Sequence, residues 1–339
     1  MKYLILPIAL LFSSYSQAEH PDDNETELLH EKFRLNGIST QDAFGKAREE
    51  ALSTTVRLVR NGKLIALGGI VDSSGYVLTK ASDCVGAREA ETSDGKKYRL
   101  KIKKRDEATD LALYQLLSEE KSFPVIQWGE GNSTETGDWV LASFSMLEEI
   151  RVGVASGNPR KIGREGGVMG VVLGADGDSV GGVRISEVVP QAAAYKAGLL
   201  KGDVITSVDG RKLKSRDQVA KTVGKNDPGD VVRIEIKRKD EVKIFNVTLG
   251  HRSVTFDLFN RNLQMSGPVS KRKDNFPMIL QHDLPLPKNS MGGPLFNLRG
   301  ECIGFNIARV DRVTIYALPS YQVRKTLSEF LGKIRGSGK

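Results

Sequence analysis

Apolar and polar residues alternate in short runs along much of this chain. Tyr98-Arg99-Leu100-Lys101-Ile102 is the pattern of a half-buried strand. Val56 to Val59 and Leu64 to Val71 are apolar-rich runs split by Asn61-Gly62, the dipeptide of a tight hairpin. Ser73-Ser74-Gly75 turns the chain into Tyr76-Val77-Leu78-Thr79, and Leu111 to Leu116 and Trp139 to Ala142 add further strands. Ahead of them, Thr40 to Ser53 spaces Ala, Phe and Leu along one side and predicts a helix with Thr40 as its N-cap. Many short strands joined by turns predict a barrel or a sandwich.

From about Gly163 the texture changes. Ile185 to Val189 reads as a strand, Pro190 opens a short Ala-rich helix and Gly198 closes it. Val204 to Val208 is a strand ending at Asp209-Gly210, and Ser215 with Gln218 forms a capping-box pattern for a helix reaching Val223. Val231 to Ile236 and Val242 to Leu249 follow as strands around Lys239-Asp240. After His251 the strand-and-turn texture returns. Val323, Leu327, Phe330, Leu331 and Ile334 mark one face of a final helix. Ala155-Ser156-Gly157 and Met265-Ser266-Gly267 look alike on either side of the middle region, and predict two strands of one barrel held apart by an insertion.

The N-terminus changes the picture. Lys2 precedes the apolar run Leu4 to Phe12, which is too short to span a bilayer, and Ser16-Gln17-Ala18 offers small residues where a signal peptidase reads. Residues 1–18 are expected to be a secretory signal peptide and residues 19–44 a polar leader. The 339 residues allow two or three domains, and 35 glycines suit tight turns between strands. The net charge of +8 comes in runs such as Lys101 to Arg105 and Lys271 to Lys273. No aromatics interleave with these runs, so they read as solvated faces rather than nucleic-acid contacts. Two cysteines, Cys84 and Cys302, can pair only if folding brings them together; otherwise they are buried thiols. No metal-ligand spacing and no phosphate loop is visible, so no cofactor is expected.

Ala197-Gly198-Leu199-Leu200-Lys201-Gly202-Asp203-Val204-Ile205, followed by Val208-Asp209-Gly210, resembles the PDZ domain of HtrA-type proteases. The resemblance implies a groove that adds a peptide as an extra strand and holds its C-terminal carboxylate on backbone N–H groups. The matching loop is Val168-Met169-Gly170-Val171, with Val219 and Val223 as the opposite wall. The flanking segments resemble the protease domain of the same family: Gly68-Gly69-Ile70-Val71 with Tyr76 to Thr79, Thr109-Asp110-Leu111, and Gly292-Gly293-Pro294-Leu295. That resemblance implies a mainly β trypsin-like double β-barrel with an inserted α+β PDZ domain. Its parts are 45–162, first part of the barrels; 163–252, PDZ; and 253–335, second part with the C-terminal helix. The family usually places its PDZ domain after the protease, not inside it.

A serine protease needs a hydroxyl nucleophile, a His base and a carboxylate to orient that base. The family's His slot follows Thr79, where this chain offers Ser82, or Asp83 if one residue is inserted. Neither shuttles a proton at neutral pH. The nucleophile slot falls on Met291 when Gly292-Gly293 is the anchor, or on Ser290 when Asn289-Ser290 is. Asp110 alone fits the pattern. Substitutes are His282 as base, a Ser290–Lys288 dyad, or Cys84 as nucleophile. The expected function is an exported pseudoprotease of the periplasm or cell envelope that binds peptide C-termini or unfolded segments and forms a homo-oligomer. It would bind no nucleic acid and have no stable membrane anchor. The alternative is an active endopeptidase using Ser290 with a non-standard base.

Overall fold

A computed structural model describes residues 30, 34–35, 37–120, 122–130, 134–144, 149–174, 181–252 and 265–336. The signal-peptide reading of residues 1–18 lies outside the described residues, as does most of the leader. The helix predicted from Thr40 is two helices, α1 (Ile38–Ala43) and α2 (Gly45–Thr54), broken at Phe44. Thr40 is not a cap; its hydroxyl donates to the Arg34 carbonyl, and Gly37 holds the N-cap position.

Six strands follow and close into a first barrel. They are β1 (Thr55–Arg60), β2 (Lys63–Asp72), β3 (Tyr76–Lys80), β4 (Glu89–Glu91), β5 (Lys97–Asp106) and β6 (Leu111–Leu117), in the order β1-β2-β3-β6-β5-β4. The turn at Asn61-Gly62 has positive φ at both residues, 52° and 73°, as a two-residue hairpin requires. Val56, Leu58, Ile70, Val77, Ala112 and Leu116 fill the interior.

The second barrel is assembled from both sides of the middle region. It contains β7 (Trp139–Ser143) and β8 (Ile150–Ile162), and then, far along the chain, β15 (Phe276–His282), β16 (Pro294–Phe296), β17 (Cys302–Arg309) and β18 (Ile315–Pro319). β8 and β15 are antiparallel neighbours, with Ile162 opposite Phe276 and Ala155 opposite His282. The intervening chain therefore leaves and returns at the tip of one hairpin, where Asn275 N–H donates to the Gly163 carbonyl. The strand expected at Met265–Pro268 is not formed. Those residues turn against the β17–β18 loop, where the Ser266 hydroxyl accepts from Arg312 N–H. The partner of the Ala155 segment is β15 instead.

Between β8 and β15 the chain forms its own sheet: β9 (Val171–Leu173), β10 (Val183–Val188), β11 (Val204–Val208), β12 (Arg211–Lys212), β13 (Val231–Arg238) and β14 (Glu241–Thr248). The order is β14-β13-β11-β10-β9, with β12 beside β11 and β9 at one edge. Helix α3 (Ala193–Ala197) ends at Gly198 in the left-handed region, φ 89°. Helix α4 (Arg216–Val223) is capped by Ser215, whose hydroxyl accepts from Gln218 N–H. Val183, Ile185, Leu199, Ile205, Val219, Val232, Ile234 and Val247 make a separate core. The fold is mainly β: two closed barrels and an inserted α+β sheet.

The barrels share a third body of apolar side chains, covered by the last helix, α5 (Ser320–Gly336). Leu78, Leu111 and Leu113 of the first barrel meet Ile150, Phe296 and Phe305 of the second, with Val323, Leu327 and Phe330 from α5. Phe305 is fully buried, lies against Gly69 and stacks on Trp128 with ring centroids 6.0 Å apart. Cys84 and Cys302 are both buried free thiols in different clusters. Among the described residues no helix is long and apolar enough to cross a membrane. Phe305→Ala is expected to cost roughly 3–5 kcal/mol, because the ring fills a junction that cannot collapse around the gap. Urea denaturation compared with the parent chain measures it.

Candidate active-site cleft and peptide groove

Asp110 is set at the start of β6 by the turn before it. The side chain of Asp106 accepts from both the N–H and the hydroxyl of Thr109. Asp110 itself takes a left-handed φ of 58°, which an Asp tolerates better than most residues. Its carboxylate is buried and accepts from Ser82 N–H and from the Ser82 hydroxyl, both at 2.8 Å. Of the two residues offered for the slot after Thr79, Ser82 is therefore the one facing Asp110. Asp83 turns the other way and pairs with Lys80, Nζ to Oδ2 2.8 Å. Burial pushes the Asp110 carboxyl above its ordinary range. Lys80, the Ser82 hydroxyl, Arg272 and the Ser82 N–H act in the opposite direction.

Lys80 was not singled out in the sequence, yet it is a fully buried side chain at the end of β3. A lysine there is stable only because Asp83 and Asp110 face it. Nothing in the local sequence signals this, since a strand ending in Lys ordinarily ends in solvent.

The loop expected from the sequence to hold the nucleophile slot is a 3-10 turn, Lys288–Ser290. Ser290 is fully buried, and its hydroxyl finds no hydrogen-bond partner among the described residues. Met291 is also fully buried, packed with Val140, Leu284, Leu286 and Leu295. An oxyanion hole needs backbone N–H groups aimed at the reacting oxygen. Here Ser290 N–H donates to the Pro287 carbonyl at 3.0 Å and Met291 N–H to the Lys288 carbonyl at 3.1 Å. Both are consumed inside the turn. Gly292 follows at φ +94°, where an added Cβ would sit 2.3 Å from the Thr79 hydroxyl.

His282 does not stand in as base. It is buried on β15, with Nε2 2.7 Å from the Asn306 Oδ1 and Nδ1 accepting weakly from Leu284 N–H. Both ring nitrogens are engaged away from Ser290. His251 is the histidine that sequence reasoning placed only at the end of the middle region. It is half-buried and lines a cavity of about 430 Å3 together with Ser82, Asp110, Lys271 and Arg272. Burial and Lys273 hold its imidazole below the usual range, against Asp274, Glu165 and the Lys271 backbone. Cys84 donates to the Ala81 carbonyl, and burial lifts its thiol to about 11, so it is no thiolate at neutral pH.

All six residues expected of the peptide groove line one cavity of about 370 Å3: Val168, Met169, Gly170, Val171, Val219 and Val223. It lies between β9 and α4. The sheet order leaves the outer edge of β9 without a strand partner among the described residues. Met169, Val219 and Val223 are core side chains that also form the floor. Val168 N–H is bonded to the Gly250 carbonyl, so it offers no donor. Met169 and Gly170 N–H have no protein acceptor among the described residues, and Gly170 takes φ +77°. Two successive free N–H groups at the head of an open strand edge can bind a carboxylate.

The profile of the PDZ domain matches residues 144–249, beginning within the second barrel and covering the whole inserted sheet. A probable periplasmic serine endoprotease DegP-like protein of Brucella suis is 23% identical, with 54% of this chain and 52% of that protein covered. A protein of the same description from Halomonas elongata is 23% identical, over 54% and 56%. A probable periplasmic serine protease do/HhoA-like protein of Haemophilus influenzae is 21% identical, over 53% and 56%. The chain spans about half the length of these curated relatives. It is HtrA-like and carries a PDZ domain.

The buried His282 makes stability depend on pH. Its imidazole is held down to about 4 by burial, against 6.5 when free. The unfolded chain therefore binds the proton first, and stability falls as pH drops from about 6.5 toward 4. The loss from this one group is on the order of 3 kcal/mol. Urea midpoints of the parent and His282→Gln, compared across that range, should converge as pH falls. Parallel pH profiles would contradict it.

Proposed function

We propose that this protein is an exported pseudoprotease of the HtrA type, which captures peptide C-termini or unfolded segments in its PDZ groove. Residues 163–252 act as the binding unit, and residues 45–162 and 253–335 act as its scaffold. The observation that carries the reading is the pairing of Ser82 with Asp110. The carboxylate that would orient an imidazole instead holds an alcohol, which cannot accept a proton near neutral pH. The inward-turned N–H groups of Ser290 and Met291 support the same reading. Export to the periplasm or cell envelope is supported by the periplasmic descriptions of the relatives and by the apolar run Leu4 to Phe12. Assembly into a homo-oligomer belongs to the same reading.

The second reading is an active endopeptidase built on Ser290. Its support is the Ser290 hydroxyl, which has no hydrogen-bond partner among the described residues, and the serine endoprotease descriptions of the relatives. The two readings separate cleanly. Purified protein is expected to leave casein intact and to take no fluorophosphonate label. Labelling that disappears in Ser290→Ala would establish the second reading. In the same preparation, a fluorescent peptide with a free apolar C-terminus should bind with an anisotropy change. C-terminal amidation, or Met169→Asp, should weaken it by about tenfold or more, since the carboxylate and the apolar floor are each needed. Equal binding of free and amidated peptides would remove the groove from the function.

A further inference from the structure

The cleft beside Ser82 has a chemistry that the PDZ groove does not share. It encloses about 800 Å3 between the Ser82–Val85 segment of the first barrel and the Pro287–Asn289 and Pro268–Lys271 segments of the second. Four cations line it: Arg60, Lys271, Lys288 and Arg309. Among the described residues none of the four has a carboxylate within ion-pair distance. The single acid in the lining, Asp83, is already bound to Lys80. Asp110 lies behind Ser82, and Asp311 acts on Arg309 only from beyond that distance.

The two arginines are tethered without being neutralised. Arg60 donates to the Val85 carbonyl at 2.9 Å. Arg309 donates through Nε to the Leu286 carbonyl and through a terminal nitrogen to the Pro268 carbonyl, both at 2.9 Å. Carbonyl tethers fix the guanidinium planes and leave the charge and the remaining N–H groups for a ligand. Ile65 and Val85 supply apolar wall between the cations. Asn289 adds a polar side chain to the lining.

We infer that this cleft is a second binding site, separate from the PDZ groove, for an extended acidic peptide segment carrying Asp or Glu between aliphatic side chains. The volume suits a short peptide. No aromatic ring lines the cavity among the described residues, so it lacks the stacking platform that single-stranded nucleic acid uses.

The test uses the full chain and a short, fluorescein-labelled, C-terminally amidated peptide of alternating glutamate and valine. Amidation removes the carboxylate that the PDZ groove would take. Anisotropy should show saturable binding that weakens steeply with added salt. The glutamine version of the peptide should bind about tenfold more weakly or worse. Lys271→Gln combined with Lys288→Gln should produce a loss of similar size, about tenfold, with an unchanged thermal midpoint. Among the described residues neither lysine side chain has a hydrogen bond or ion pair, and if this pair shifts the midpoint, Lys288→Glu alone replaces it. An excess of unlabelled peptide with a free apolar C-terminus should not displace the acidic peptide. The inference is overturned if the glutamine peptide binds equally well or the lysine variant binds like the parent. Displacement by the free-carboxylate peptide, or tighter binding of a single-stranded oligonucleotide at the same ionic strength, would overturn it too. The displacement arm keeps this result independent of whether the PDZ groove itself works.

Discussion

Antiparallel pairing of β8 with β15 is the contact on which the whole arrangement rests. The second barrel closes only if Ile150–Ile162 finds Phe276–His282 across more than a hundred intervening residues. Because these strands are hairpin neighbours, their tips are adjacent, and a domain can leave and return there without opening the barrel. Insertions are tolerated where the two ends of the inserted chain lie close together. The same pairing brings His251, Lys271 and Arg272 back to the Ser82–Asp110 side of the molecule. Arg272 then ties the returning chain to the first barrel through the Glu107 and Ala108 carbonyls, with its guanidinium over the Phe276 ring.

Around Asp110 the constraint is electrostatic. A buried carboxylate without donors is costly, and a buried lysine without an acid is equally so. Ser82 satisfies the first with two hydrogen bonds, and Asp83 satisfies the second with an ion pair. The four residues form a self-contained set that needs neither imidazole nor substrate. The set also explains the character of the adjoining cleft. With Asp83 and Asp110 both turned to internal partners, no acid among the lining residues is left to pair with Arg60, Lys271, Lys288 or Arg309.

Much of this was legible in the residues. Asn61-Gly62, Gly198 and the Ser215–Gln218 cap each specify a turn or a helix end by local chemistry, and each lies where its chemistry puts it. The six groove residues converge because a strand and a capped helix fix their own spacing. The alternative between Ser82 and Asp83 could not be resolved locally, because it depends on where Asp110, 28 residues later, presents its oxygens. Buried Lys80 and the placement of His251 were invisible for the same reason: both are set by partners distant in sequence. The partner strand of the Ala155 segment was misassigned to Met265–Pro268 because three similar residues outweighed a longer, irregular strand, β15, whose pairing is interrupted by register shifts.

Cys84 sits inside the first barrel, and Cys302 lies on β17 in the body shared by the barrels and α5. Burial raises their thiols to about 11 and 12, so neither is a thiolate under ordinary conditions. No covalent link ties distant parts of the described chain together, and neither sulfur is presented to an oxidant. The native state thus holds no disulfide for a reductant to break. Reductant should leave the folded population unchanged, and every long-range connection in it can reform from the unfolded chain without an isomerase for disulfides.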